Sequence, residues 1–182
     1  MKAVPVAISA LVLVGATTAA LDAHDRDRGR EVFVTKLESH QEVPAVSSVA
    51  RGRFSAVLDE AAGTLTYSLT FEGLEEAVLQ AHIHFGQRSV NGGIMIWLCS
   101  NLASPPTPPN TQACPQAGTI TGTVGAGNVV GPNAQGIAPT EFAEVVRALR
   151  GGVAYANVHS AKFPGGEIRG QLRSRHGDDH DD

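Results

Sequence analysis

Aromatic side chains are scarce in this chain. Phe, Trp and Tyr make up 5% of 182 residues, with a single tryptophan, while glycine is abundant at 20 residues, a balance that suits short strands joined by turns. A basic surplus is missing too: the formal net charge is −4 and no Lys/Arg patch is interleaved with aromatics, which sets nucleic acid aside as a partner. Beyond residue 16 no apolar run is long enough for a membrane helix. Familiar catalytic signatures are absent as well. No Gly-x-Ser-x-Gly elbow surrounds a serine. The acidic pairs Asp59-Glu60 and Glu75-Glu76 read as exposed turns rather than as a glycosidase pair. Gly125-x-Gly127 lacks the strand-then-helix setting of a phosphate-cradling loop.

What is present begins with a thin positive start at Lys2, an apolar run from Val4 to Ala16, and small residues up to Asp22-Ala23. The run falls short of the ~20 residues a bilayer span needs. Residues 1–23 therefore read as a secretory signal peptide cleaved after Ala20 or Ala23, with an uncleaved anchor as the alternative. Residues 24–30 form a charged leader of alternating sign, and residues 174–182 a His/Asp tail able at most to hold a divalent ion weakly. Residues 31–173 are left as one domain, expected to be secreted or periplasmic. In that compartment the two cysteines, Cys99 and Cys114, read as a disulfide. It would close a Pro-rich loop and contribute about 3 kcal/mol by restricting the unfolded chain. Thiolate metal ligation is the alternative, but neither cysteine has a second cysteine or a histidine at ligand spacing.

Periodicity within the domain favours strands. Thr64 to Phe71 alternates strictly, with Leu65, Tyr67, Leu69 and Phe71 on one face and hydroxyl residues on the other. Similar short runs cover Glu31–Leu37, with Val32 and Val34 on one face, Arg51–Leu58, Val78–Phe85, Ile94–Leu98, Gly118–Val124, Val153–Ser160 and Glu167–Arg173. One helix is signalled by Pro139-Thr140-Glu141, with Thr140 as cap, and by the stripe Phe142, Val145, Val146 and Leu149 before Gly151-Gly152. The expected fold is all-β: an antiparallel, Greek-key-like sandwich of about eight strands with one short helix in a connection.

Chemistry centres on Ala81-His82-Ile83-His84-Phe85-Gly86. On a strand, Ile83 and Phe85 face the core while His82 and His84 face the other way, about 7 Å apart. A third imidazole, His159, ends the run Tyr155-Ala156-Asn157-Val158-His159. Three such nitrogens can form a trigonal or T-shaped set for copper or zinc, with His40 or Glu42 available to complete the shell. Alternatively the histidines join Asn157, Glu167 and Arg169 in a hydrogen-bonded structural cluster, and the domain serves as an interaction module for an extracellular or periplasmic protein partner. Trp97, beside Cys99, is assigned to packing under the disulfide loop.

The segments Glu42-Val43-Pro44, Gly73-Leu74, Ala81-His82-Ile83-His84-x-Gly86, Asn91-Gly92, Tyr155-x-Asn157-Val158-His159-Ser160 and Gly166-Glu167-Ile168-Arg169-Gly170-Gln171-Leu172 occur in the order found in the CHRD domain family, which the chain resembles from about Phe33 to Leu172. A single copy behind a signal peptide resembles the bacterial members, mostly without an assigned activity. The resemblance implies an exported, non-enzymatic binding or structural module. There is a fainter similarity to Cu/Zn superoxide dismutases, which implies a copper role for His82, His84 and His159 and, remotely, dismutase activity. The bridging histidine and the zinc-binding loop of those enzymes have no counterpart here, since residues 87–117 contain neither histidine nor acid.

Overall fold

The computed structural model describes residues 30–104 and 106–175. The signal peptide, all of the charged leader but Arg30, and the tail beyond residue 175 lie outside the described residues. Among the described residues the chain is all-β, with nine antiparallel strands in a nearly closed sandwich and one α-helix. The strands are β1 (Arg30–Glu38), β2 (Arg51–Asp59), β3 (Thr64–Glu72), β4 (Val78–Phe85), β5 (Gly93–Ser100), β6 (Gly118–Gly125), β7 (Ala154–Ser160), β8 (Ile168–Gln171) and the two-residue β9 (Arg173–Ser174). Helix α1 (Phe142–Arg150) lies in the connection from β6 to β7.

Neighbours run β5-β4-β7-β8-β1-β2-β3-β6, so β3 reaches β6 and β4 reaches β7 by crossing over intervening strands, the Greek-key feature. The sheet folds into two halves, β5-β4-β7-β8 and β1-β2-β3-β6. They meet on one side through the pair Glu38 and Arg169 at β1 and β8. On the other side β5 and β6 form no ladder. There Gln112 Nε2 donates to Leu98 O of β5, to Thr121 O of β6 and to the Tyr67 hydroxyl, and that hydroxyl donates to Leu98 O.

Period-two alternation sets the core. Phe54, Ala56 and Leu58 of β2, Leu65, Tyr67, Leu69 and Phe71 of β3, and Ile83 of β4 are buried together. In β1 the inward face carries Phe33 and Leu37, and Val32 and Val34 lie half-buried on the outer face. The valines thus share one face as expected, and it is the outer one, because the two larger side chains on the opposite parity fill the interior. Helix α1 buries the predicted stripe. Its start differs from expectation: Thr140 sits at φ 73 and provides no cap, and the Glu141 carboxylate instead accepts the Ala138 N–H. The disulfide between Cys99 and Cys114 is formed, pinning the loop after β5 to the core.

Candidate metal centre

Strand β4 pairs with β5 on one side and β7 on the other, so the outward face of three strands becomes one surface. His82 stands opposite Trp97 and Asn157, His84 opposite Tyr155, and His159 opposite Gln80. Beyond β7, Asn157 stands opposite Arg169 and Tyr155 opposite Gln171 on β8. The register between β4 and β5 slips at Ala81/His82 and again at Ile83/His84, so Leu98 and Met95 are extra residues in β5 beside each histidine. Such bulges re-aim side chains next to functional sites.

This outward face is buried. His82 is fully enclosed, and His84, Asn157, His159, Arg169 and Gln171 are buried with it. Arg169 ties the loop after β4 over the face, donating to the carbonyls of Gln87 and Val90 and to Asn91 Oδ1. Asn91 in turn donates to Val43 O, which links that loop to the segment carrying Glu42. Two glycines allow the close approach. A Cβ on Gly92 would fall 1.7 Å from Phe85 O, and one on Gly166 would fall 2.3 Å from Glu42 Oε1.

The three histidines converge: one ring nitrogen from each of His82, His84 and His159 lies within 4.8 Å of the others. Two tautomers are fixed by backbone carbonyls. His84 Nδ1–H donates to Gly92 O at 2.9 Å and His159 Nδ1–H to Pro164 O at 2.9 Å, so in each neutral ring Nε2 carries a free lone pair. His82 Nδ1 lies 3.2 Å from His159 Nε2 and, in the metal-free site, donates to it. Nε2 of His82 and Nε2 of His84 are buried without a protein partner.

Burial holds all three rings neutral. Desolvation, with repulsion from the other two imidazoles, lowers His82 from 6.5 to about 2. Desolvation lowers His84 to about 4 against the opposing pull of the Gly92 carbonyl, and His159 to about 4 against that of Pro164. At neutral pH the site therefore offers lone pairs rather than protons, which is the state metal ligation requires. The 3.2 Å between His82 Nδ1 and His159 Nε2 also suits a shared ion, since two nitrogens about 2.0 Å from a tetrahedral centre lie roughly 3.3 Å apart. An ion shared by these two nitrogens would be held by His82 through Nδ1, which requires the tautomer with the proton on Nε2.

Aromatic rings wall the cluster. Trp97 meets His82 edge-on at 4.3 Å, and Tyr155 lies flat on His84, with 4.7 Å between centroids and 4° between planes. Trp97 is therefore a wall of the histidine cluster and not only packing under the disulfide loop. Tyr155 belongs to the motif that carries the family resemblance and shares the parity of Asn157 and His159, but the sequence assigns it no role at the site. His40 stands apart: its short 3-10 turn, Ser39–Gln41, directs it outward, where it is exposed and lies 3.3 Å from Glu38. Glu42 is buried near Arg169 and Asn157, and desolvation raises its carboxyl to about 7. It is not among the converging groups. Glu167 also departs from the expected cluster. It precedes β8, and its carboxylate accepts from the Ser48 hydroxyl at 2.6 Å and the Glu75 N–H at 3.1 Å, pinning two loops.

The model of the CHRD domain family matches residues 33–172, most of the chain and all of the site just described. The chain belongs to the CHRD domain family. Every segment that carried the resemblance lies on this domain, with the His-x-His strand and the Asn-Val-His strand as adjacent members of one sheet. No curated protein and no solved structure matches the chain. Among the described residues of this CHRD domain, no helix is long and apolar enough to cross a membrane.

Proposed function

We propose that this CHRD domain is an exported copper-binding protein that holds the ion through His82, His84 and His159 and does not turn over a substrate. The observation that carries the reading is the convergence of three neutral imidazoles, two of which, His82 and His84, keep a buried Nε2 with no protein partner. A purely structural cluster would use its buried lone pairs in hydrogen bonds, because leaving them unmade costs about 1–3 kcal/mol each. Copper is favoured over zinc by the donor set: three imidazoles, with neither carboxylate nor thiolate among the converging groups. Structural zinc sites are almost always four-coordinate, and Cu²⁺ heads the affinity series for nitrogen sites. Burial on every side favours retention of the ion over exchange of substrates. The Cys99–Cys114 disulfide and the leader pattern of the sequence support a location outside the cytoplasm.

Equilibrium dialysis of the purified protein against Cu(I), Cu(II) and Zn(II) tests the reading. One copper per chain is expected, with affinity falling by more than about 100-fold in His82→Ala/His84→Ala. Uptake that survives the double substitution belongs to the terminal histidines and overturns the assignment. Superoxide dismutation by the copper-loaded protein, lost in the same variant, would replace the non-enzymatic reading with an enzymatic one.

A further inference from the structure

Arg169 is a cation sealed beside the histidines, 2% exposed, and among the described residues it forms no salt bridge. Its hydrogen-bond partners, the carbonyls of Gln87 and Val90 and the Asn91 amide oxygen, are dipoles rather than counter-charges. Its guanidinium carbon lies 3.4 Å from the centroid of Tyr155, and that ring, on β7 between β8 and β4, also stacks on His84. Guanidinium, phenol and imidazole thus form a three-layer stack ending on a ligand ring.

From this stack we infer that Arg169, acting across Tyr155, biases the histidine site toward Cu(I) over Cu(II). The inference rests on the copper reading above. A fixed positive charge in a poorly solvated interior opposes a dication more than a monocation at the same place. The three ligand rings are neutral and do not offset it. Glu42 is the carboxyl that senses Arg169 most directly; it interacts electrostatically with both Arg169 and Tyr155. Arg169 is in this sense a positioning residue: it fixes a charge near the site and touches no ion.

The test compares Cu(I) and Cu(II) dissociation constants by competition with chromophoric chelators at pH 8.5, for the full protein and three variants. In Arg169→Gln the preference for Cu(I) should fall about tenfold, the effect of one unit charge near 10 Å in an interior of effective dielectric about 20. Arg169→Lys keeps the charge and should restore most of the preference. Glu42→Gln removes the opposing charge in an isosteric side chain and should shift the preference further toward Cu(I), so it decides the matter even if Arg169→Gln does not fold. A merely structural role would move both charge variants in the same direction. One copper per chain with an unchanged preference in Glu42→Gln and in any folded Arg169→Gln overturns the inference alone. A wild-type chain that takes up neither ion overturns the copper reading and this inference with it.

Discussion

The outer faces of the two half-sheets follow the same alternation and meet opposite fates. On β2, β3 and β6 the outward residues are solvated: Thr66 pairs with Thr123, Thr70 with Thr119, and Arg51 with Glu72, all at the surface. On β4, β7 and β8 the outward residues are His82, His84, Asn157, His159, Arg169 and Gln171, and all are buried. The difference lies in the connections. Tight turns join β2 to β3, whereas the loops after β1, β4 and β7 fold back over the second half. Covering a polar face leaves Glu42 Oε1, Asn157 Oδ1, Gln171 Oε1 and two imidazole nitrogens without protein partners. Burial of that kind opposes folding. Its persistence on one half only marks where a ligand can return the lost interactions.

Acid should break this contrast most strongly. A histidine with a folded value below its unfolded 6.5 leaves the unfolded chain holding more protons, so stability rises with pH across that interval. Stability of the metal-free protein should therefore fall as pH drops from about 6.5 toward 4, by about 3 kcal/mol for each of His84 and His159 at full extent, read by urea denaturation. Copper should shift the loss to lower pH. In Glu42→Gln, which removes the opposing contribution of a carboxyl raised to about 7, a pH-independent stability over this range would show that the rings are not desolvated as described. Next in size, Cys99→Ala/Cys114→Ala should cost about 3 kcal/mol, and reductant should have no further effect on that variant.

A smaller effect, of opposite sign, is expected from His84→Leu. Replacing a desolvated imidazole with an apolar side chain should raise the stability of the metal-free protein by about 1 kcal/mol while abolishing copper uptake. A destabilised variant would favour the structural reading of the cluster. Smallest of all, Thr66→Val on the solvated half should change stability by less than about 0.5 kcal/mol and leave copper binding untouched.

Strand parity made much of this legible in advance. It placed His82 and His84 on one face with Ile83 opposite, and the Asn-Val-His segment of the family pattern indicated where the third ring comes from. What parity could not provide was the cover over that face, since it depends on long connections whose paths leave no periodic trace. His40 illustrates the limit: two residues from the buried Glu42, it is turned outward by a single 3-10 turn. Glu167 illustrates another. Counted as a strand residue it shares the parity of Arg169, but β8 begins one residue later and its carboxylate turns to Ser48 and Glu75.

The placement of Trp97 gives the protein an intrinsic optical gauge. It is the only indole in the chain and its ring touches His82, so its emission comes from one known spot at the edge of the three histidines. A paramagnetic ion settling among those rings would darken it, and reduction to a closed-shell ion would restore it, so one fluorescence trace can follow both the capture and the reduction of Cu(II) without any label.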